Sequence, residues 1–504
     1  MFGLSTRDAL PMDAGPTPAD AGPPAIEISP LPGTPATKTT SPVVLAGVVR
    51  LAEAALIVTT GLIGLLPNLL VGESWLKMAV PPIVALVYVL LGEAAHLFSV
   101  PLFRQRGVQL LRVMAVVAMV CGLLIASFAM GSVLTVENIG WLERWLAILA
   151  VVLVLFRLST HHLVKAWSSA GRLARRTAIV GGGEAGEKLI RELEARAVGD
   201  VTICGVFDDR SDIRSPDSVA GHAKLGTVED LVTFARRTKL DLVIFTLPIT
   251  AEGRILQMLK KLWVLPVDIR LSAHTNKLQF RPRSYSYLGS VPVLDVLDRP
   301  IADWDIVQKW LFDRIVGGLA LLALSPIFLV TAIAIKLTSN GPVLFRQRRY
   351  GFNNELIEVF KFRSMYIDQC DATASKLVTK DDPRVTPVGR FIRKTSIDEL
   401  PQLFNVVFKG NLSLVGPRPH AIHAKAVDRL YNDVVDGYFA RHKVKPGITG
   451  WAQINGWRGE TDTEEKIQQR VAHDLYYIEN WSVFFDLKIL AMTPLSLVST
   501  ENAY

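Results

Sequence analysis

Cysteine is scarce in this 504-residue sequence: the three cysteines are isolated from one another and show no Cys-x-x-Cys spacing. Neither a disulfide framework nor a zinc site is therefore indicated, and a reducing cytoplasmic setting fits. The N-terminus also lacks an early apolar segment, because the first long apolar run begins near Val43. That position is too deep for a cleavable signal peptide.

Charged residues are sparse as well, since they make up 20% of the chain against 50% hydrophobic residues. With a mean hydropathy of +0.31, the composition is too apolar for a soluble protein of this size. The net charge of +8 suits anionic partners such as membrane head groups, nucleotides or phosphorylated substrates. We therefore expect membrane lipids among the partners, and no nucleic acid.

The N-terminal third is predicted to be a tail followed by membrane helices. Residues 1–42 contain nine prolines and almost no large apolar residues, which predicts a disordered tail. Four apolar runs follow, each close to the ~20 residues that cross a bilayer: about 43–71, 78–102, 110–134 and 141–163. Cations after the second and fourth runs predict a four-helix transmembrane bundle over 43–167 with both ends in the cytoplasm. Buried helices of a soluble bundle are the alternative.

A glycine-rich turn opens the next segment, in "TAIVGGGEAGEKLIREL". Gly181, Gly183 and Gly186 give the spacing Gly-x-Gly-x-x-Gly between a predicted strand and a predicted helix. Further strand–helix alternation predicts a Rossmann-like, doubly wound domain over 168–270. The turn either binds a nucleotide at the helix N-terminus or is kept only as a scaffold. Residues 271–308 are predicted to be a connector.

A further apolar run covers 311–337 and is interrupted by Ser325 and Pro326. Proline removes a helical hydrogen bond and kinks the helix. Each half of about 12 residues is near 18 Å long at 1.5 Å per residue, too short to cross a bilayer. The run therefore predicts a re-entrant helix that returns residues 340–504 to the cytoplasmic face. A kinked full span is the alternative.

The region after residue 340 combines cations with two adjacent carboxylates. The helix predicted from "RFIRK" places Arg390 and Arg393 on one face, and two prolines restrict the backbone around Arg418. Five cations are candidates for binding substrate phosphates: Lys361, Arg363, Arg390, Arg393 and Arg418. Each motif alone is typical of a solvated surface, but their succession after the apolar run indicates a phosphate site.

Residues ~300–504 resemble the bacterial sugar transferase family, the polyprenyl-phosphate hexose-1-phosphate transferases. The resemblance rests on five stretches of the sequence: "KFRSM", "TSIDELPQLFNV", "LSLVGPRP", "KPGITGWAQINGWRG" and "DLYYIENWS". The preceding spans and Rossmann-like unit resemble the large members, which are commonly undecaprenyl-phosphate glucose or galactose phosphotransferases. The expected fold is thus an integral membrane α plus α/β protein, with a catalytic α/β domain over 309–504 that includes the re-entrant helix.

The resemblance implies transfer of a sugar-1-phosphate from a UDP-sugar to undecaprenyl phosphate, with release of UMP, at the cytoplasmic face of the bacterial inner membrane. It implies that Asp398 is the nucleophile of a covalent phospho-sugar intermediate, and that Arg393 and Arg418 contact phosphate. Ser325 and Pro326 match the break in the family's re-entrant helix.

Adjacent helical residues point about 100° apart, so Asp398 and Glu399 suit two separate roles rather than a proton-sharing dyad. An anionic nucleophile and an anionic pyrophosphate require neutralisation, so Mg²⁺ is the expected cofactor. Asp398 and Glu399 are its candidate ligands.

Two other function classes stay open at this stage. A nucleotide-sugar oxidoreductase would need a catalytic set such as Tyr-x-x-x-Lys in or after the glycine-rich unit, and none is found. A membrane-anchored, nucleotide-responsive regulator or scaffold of polysaccharide assembly would carry an inactive transferase part. The sequence leaves open which UDP-sugar is used and whether a second copy of the chain is a partner.

Overall fold

The computed structural model describes most of the chain beyond the predicted tail. The described residues are 39–69, 75–130, 136–196, 199–210, 216–247, 251–272, 286–288, 291–366, 382–419, 425–426, 429–430, 438–457 and 463–499. The disordered tail predicted over 1–42 therefore lies outside them, except for its last four residues.

The N-terminal part consists of long apolar helices: α1 (Pro42–Leu69), α2 (Trp75–Ala94), the short α3 (Val100–Phe103), α4 (Arg106–Met130) and α5 (Val136–Ser169). Among the described residues, parts of α1, α4 and α5 are long and apolar enough to cross a membrane. The prediction that the second apolar run extends to residue 102 is wrong at its C-terminal end. Helix α2 ends at Ala94, where His96 takes a left-handed backbone conformation (φ 51°) and turns the chain. Its apolar part, Met78–Ala94, is shorter than the other three.

A buried ion pair joins α1 to α5, and the sequence did not predict it. The Arg157 guanidinium donates to both carboxylate oxygens of Glu53, at 2.5 and 2.8 Å, and both side chains are fully buried. The Tyr88 hydroxyl adds a 3.0 Å hydrogen bond from α2 to Glu53, and Arg157 also donates to the Leu97 carbonyl. Charges inside an apolar bundle persist only when they are paired in this way.

The middle of the chain forms an eight-stranded mixed sheet in the order β3-β4-β2-β1-β5-β6-β8-β7. Its strands are β1 (Arg175–Val180), β2 (Val201–Phe207), β3 (Ser218–Val219), β4 (His222–Gly226), β5 (Leu242–Phe245), β6 (Asp268–Ser272), β7 (Ser286–Leu288) and β8 (Val291–Leu297). Three helices connect the parallel strands: α6 (Glu184–Arg196), α7 (Val228–Arg237) and α8 (Glu252–Leu262). The segment predicted as a connector thus supplies β8, which pairs antiparallel with β6, and β7, which pairs antiparallel with β8.

Two helices, α9 (Asp303–Ala323) and α10 (Ser325–Thr338), meet at an angle of 59° next to the predicted break. Pro326 lies in the first turn of α10, where its missing N–H would have no helical partner. The first helix is 21 residues long, not about 12 as expected from the sequence. Its N-terminal half carries Lys309 and Asp313, which are buried against the C-terminal part of the chain.

The C-terminal part is built from short strands and helices around one apolar cluster that includes Val359, Leu403, Val406, Leu414 and Tyr477. The strands are β9 (Leu344–Tyr350), β10 (Leu356–Phe362), β11 (Ser413–Val415), β12 (Lys425–Ala426), β13 (Arg429–Leu430) and β14 (Gly447–Thr449). The helices are α11 (Pro387–Lys394), α12 (Gln402–Phe404), α13 (Trp451–Ile454), α14 (Glu464–Glu479) and α15 (Val483–Ser499).

A buried polar network anchors α9 in this C-terminal part. The Lys309 ammonium donates to Asp486 in α15 at 2.6 Å, and the Tyr477 hydroxyl donates to the same carboxylate at 2.8 Å. Asp313 accepts a 2.9 Å hydrogen bond from the Ser413 hydroxyl in β11. The first half of the bent helix pair is therefore fixed to the domain that carries the candidate site.

Candidate active site

The two adjacent carboxylates lie in a tight turn directly after α11. Ser396 has a left-handed backbone (φ 57°), and Ile397–Glu399 form one 3₁₀ turn. Residues of a 3₁₀ turn are spaced at three per turn, so neighbouring side chains point about 120° apart. Asp398 and Glu399 consequently face different surroundings, and the structure gives them different partners.

Glu399 is held by two cations. Arg418 donates to both of its carboxylate oxygens, at 2.6 and 3.1 Å, and Lys361 donates to Oε1 at 2.9 Å. Desolvation alone would raise the pKa of Glu399, but the charges and hydrogen bonds of Arg418 and Lys361 outweigh it and hold the pKa well below its usual range. Glu399 is therefore an ionised, fully engaged carboxylate that orients the two cations.

Asp398 differs from its neighbour in having no such partner. Among the described residues, its carboxylate accepts no hydrogen bond and forms no ion pair within 4 Å. Desolvation raises its pKa to about 6, against the opposing charges of Lys361 and Arg393 and with a further contribution from the Glu399 charge. A carboxylate that is desolvated, unengaged and close to cations is suited to nucleophilic attack on a phosphorus atom.

With Asp398 as the nucleophile that the family resemblance implies, the reaction rate is expected to depend on the ionisation of Asp398. Because its pKa is raised to about 6, roughly one tenth of the carboxylates are ionised at pH 5, and only the ionised form can attack. We expect kcat/KM for the sugar donor to be constant above about pH 7 and to be about 10-fold lower at pH 5. A profile that stays flat down to pH 4.5, in buffers of constant ionic strength, would contradict this assignment.

The loop that carries Arg418 is fixed by two further arginines. Arg441 donates to the Arg418 carbonyl at 3.1 Å and forms a buried ion pair with Asp474 in α14 at 2.5 Å. Arg349 in β9 donates to the Pro419 carbonyl. In the sequence Arg349 stands in the stretch "LFRQRRYG" with two other arginines, and nothing there distinguishes it from them. No local signal identified Arg441 and Asp474, which are 33 residues apart.

Arg349 also lines a small cavity of about 10 Å³ with Lys361, Glu399 and Arg418. Desolvation and the nearby Arg418 charge lower its pKa to about 10, against the charges of Glu399 and Asp398. The cavity has room for about one water molecule, and three cations around one carboxylate give its walls a positive charge.

We expect the contact between Arg418 and Glu399 to require arginine, because it depends on a planar guanidinium that donates two hydrogen bonds. Arg418→Lys would leave one Glu399 oxygen without its partner, because an ammonium cannot form the bidentate bridge. We expect a 10- to 100-fold loss of kcat/KM with the folded state retained, measured by donor-dependent UMP release. Arg254→Lys is the matched control, since Arg254 is exposed on α8 and is not among the candidate phosphate-binding cations. Equal losses in both variants would contradict the assigned role.

The structure brings some of the predicted cations to the carboxylates but not all. Lys361 and Arg418 contact Glu399, and the charge of Arg393 acts on Asp398. Arg363, which was also predicted to bind phosphate, has other partners in the structure. It lies just past β10, is buried, and donates to the carbonyls of residues 339 and 340 at the end of α10. Its guanidinium is therefore used to cap a helix, which a strand pattern alone could not show.

Carboxylate oxygens are the ligands that Mg²⁺ prefers, together with substrate phosphates and water. Asp398 and Glu399 have the right chemistry, and Asp398 has its oxygens free. In the described part of the chain, however, no three Asp, Glu, His or Cys side chains are grouped to hold a metal ion. The residues thus fit an ion that binds together with a phosphorylated substrate.

The glycine-rich turn lies between β1 and α6, as predicted, and its glycines have packing reasons. Gly181 has a φ of +110°, which favours glycine, and a Cβ there would lie 2.4 Å from the Thr246 hydroxyl. A Cβ at Gly186 would lie 2.3 Å from the Gly181 carbonyl oxygen. Gly183 ends the turn directly before α6. Close contacts within the domain therefore account for Gly181 and Gly186 without a ligand.

The acidic residue at the end of β2 is used within the same loop. Asp208 accepts a 2.8 Å hydrogen bond from the Gly182 N–H and pairs with Arg210 at 2.7 Å. In dinucleotide-binding domains the residue in this place holds a ribose hydroxyl. Here its carboxylate closes the turn.

Comparison with known proteins gives two family matches. The sequence model of bacterial sugar transferases matches residues 304–500, and that of a CoA-binding domain matches residues 93–273. An undecaprenyl-phosphate glucose phosphotransferase from Komagataeibacter xylinus is 39% identical over 72% of this chain and 66% of its own length.

Two relatives are named UDP-glucose:undecaprenyl-phosphate glucose-1-phosphate transferase. The one from Klebsiella pneumoniae is 40% identical over 66% of this chain and 69% of its own length. The one from Xanthomonas campestris pv. campestris is 32% identical over 91% of this chain and 94% of its own length. This chain belongs to the bacterial sugar transferase family. The sequence-based prediction of the family, and with it of an enzyme of the phosphotransferase type, is confirmed.

The middle segment of this sugar transferase matches a CoA-binding domain, but its glycine turn does not form a phosphate site. The Gly182 N–H is already taken up by Asp208. The first turn of α6 carries Glu184 and Glu187, whose charges oppose an anion at the helix N-terminus. The turn therefore does not fit the pyrophosphate of CoA.

Proposed function

We propose that this sugar transferase moves a hexose-1-phosphate, with glucose the first candidate and galactose the second, from a UDP-sugar to undecaprenyl phosphate. The relatives' names supply the substrates. The observation that carries the proposal is the contrast between an unengaged Asp398 and a cation-bound Glu399 in one turn.

In the first step, a carboxylate oxygen of Asp398 forms a bond to the sugar-bearing phosphorus, and the bond from that phosphorus to the bridging oxygen breaks. UMP leaves with the bridging oxygen, and a phospho-sugar remains on Asp398. In the second step, an oxygen of undecaprenyl phosphate attacks the same phosphorus and Asp398 is released. No net proton is required, and the aspartate is regenerated.

The cations around the pair neutralise the charge of the donor pyrophosphate. Arg418 and Lys361 are fixed in position by Glu399, and Arg393 acts on Asp398 through its charge. Mg²⁺, when bound, supplies further neutralisation of the pyrophosphate, with Asp398 and Glu399 as its candidate oxygen donors.

The proposed membrane arrangement has four helices across the bacterial inner membrane and a re-entrant α9–α10 pair, with residues 340–504 on the cytoplasmic face. The bend of 59° supports it, as does the polar anchoring of the first half of α9. Single cysteines placed after residue 340 should be labelled only from the cytoplasmic side. Labelling from outside would favour a kinked full span.

The proposed role is the first membrane step of exopolysaccharide, capsule or O-antigen synthesis. The test is UMP release from a panel of UDP-sugars, in membranes containing the protein and added undecaprenyl phosphate. We expect turnover with UDP-glucose or UDP-galactose that requires the lipid phosphate. Absence of turnover with every UDP-hexose would defeat the proposal and favour a regulatory or scaffold role.

A further inference from the structure

A second and much larger cavity, of about 410 Å³, lies between the sheet and the C-terminal part of the chain. Its walls come from Pro266 before β6, from α9, and from residues 443–445 before β14. It shares no lining residue with the small cavity beside Glu399. It is therefore separate from the site of the reaction.

Three cations of this cavity have no carboxylate partner in the described part of the chain. Arg314, Lys443 and Lys445 line it, and none of them forms an ion pair within 4 Å. The guanidinium of Arg314 lies 5.8 Å from the Trp310 ring centroid. Lys443 is 9% exposed, and its ammonium lies 5.4 Å from the Trp263 ring.

The other charged groups of the lining are already used. Lys309 is paired with Asp486, Arg299 with Asp268, and Asp313 accepts a hydrogen bond from Ser413. The lining thus carries five cations and one carboxylate, Asp313, and keeps an excess of positive charge.

This excess has an energetic consequence. Desolvation lowers the pKa of Lys443 to about 8. Desolvation also lowers the pKa of Lys445. The charges of Arg314 and Lys309 lower that pKa further, whereas the charge of Asp313 raises it. Lys443 is buried, Arg314 is partly buried and Lys445 is exposed. An anion bound to them would therefore offset the cost of keeping the Lys443 charge out of water. Charge and geometry therefore both favour an anionic ligand.

The rest of the lining is apolar, which favours a ligand with a hydrocarbon part. Val406, Leu412 and Val444 form its walls, and Ile306 and Trp310 on α9 are half exposed at its edge. Along the same helix, Leu319 and other apolar residues are exposed toward the bend with α10. The cavity is therefore continuous with a helix whose exposed surface becomes apolar, as expected where a protein meets a bilayer.

We propose that this cavity binds a lipid by its phosphate head group, through Arg314, Lys443 and Lys445, at a place separate from Asp398. The ligand class is a lipid-borne phosphate, which either an anionic phospholipid or a prenyl phosphate supplies. The inference goes beyond the proposed transfer reaction and does not depend on it.

The test measures lipid retention by the full-length protein in mixed micelles, using native mass spectrometry and no UDP-sugar. Phosphatidylglycerol is titrated against the wild type and against Arg314→Gln/Lys445→Gln. We expect the double variant to bind about 10-fold more weakly. Lys188→Gln/Lys260→Gln removes the same charge from exposed positions on α6 and α8, and should bind like the wild type.

Further arms identify the source of the phosphate. If a short prenyl phosphate displaces phosphatidylglycerol, the site binds the phosphate of a prenyl lipid. If it does not, the site binds the phosphate of a phospholipid. Glycerol phosphate and inorganic phosphate should compete for the site at least 10-fold less well than a lipid that carries the phosphate. Equal competition by inorganic phosphate, or unchanged retention in both Arg314→Gln/Lys445→Gln and Lys443→Gln, would overturn the proposal. Thermal unfolding of each variant is measured as well, so that lipid retention is compared only between folded proteins.

Discussion

Asp398→Asn is expected to lower UMP release by at least about 10³-fold, because replacing a catalytic nucleophile removes the covalent route altogether. In the wild type, radiolabelled sugar-phosphate should attach to the protein when UDP-sugar is added without lipid. The variant should acquire no label. Residual activity within 10-fold of the wild type would contradict the role of Asp398.

The stability of this variant separates loss of chemistry from loss of fold. The folded-state pKa of Asp398, about 6, lies above the ordinary aspartate value of 3.8. Its contribution to stability is therefore present at low pH and is lost as the pH rises through about 6. Asp398→Asn should consequently keep or raise the Tm at pH 7.5. Glu399→Gln should lower the Tm, because it weakens the interactions of two buried cations, Lys361 and Arg418.

Arg157→Met is expected to destabilise the membrane helices by about 3–5 kcal/mol, the usual effect of breaking a buried ion pair. The change leaves the Glu53 carboxylate fully buried, and within the described part of the chain only the Tyr88 hydroxyl still donates to it. The measurement is thermal unfolding in detergent, followed by intrinsic fluorescence.

Two variants control this prediction. Glu53→Leu/Arg157→Met removes both charges and should recover much of the loss, since paired apolar replacements of buried ion pairs are often tolerated. Leu155→Met changes an exposed apolar residue of the same helix and should have little effect. If the double variant were as unstable as Arg157→Met alone, packing rather than charge would be the cause.

Local patterns in the sequence predicted much of the architecture correctly. The break between α9 and α10 follows from one proline in an apolar run, and the strand–turn–helix around Gly181 follows from spacing within a few residues. Side chains that meet across long separations left no such signal. Arg157 and Glu53 are 104 residues apart, and Lys309 and Asp486 are 177 apart. β7 and β8 were missed for a similar reason, because their segment joins the sheet only through pairing with β6.

By itself, the sequence determined the family and the two carboxylates, since their motif is contiguous. Only the tertiary structure decided how the two differ. Lys361 and Arg418 lie 38 and 19 residues from Glu399 along the chain. Folding brings both into hydrogen-bond contact with Glu399, whereas they act on Asp398 only through their charges. Charge neutralisation and desolvation act through space, so the pKa of each carboxylate is a property of the folded chain.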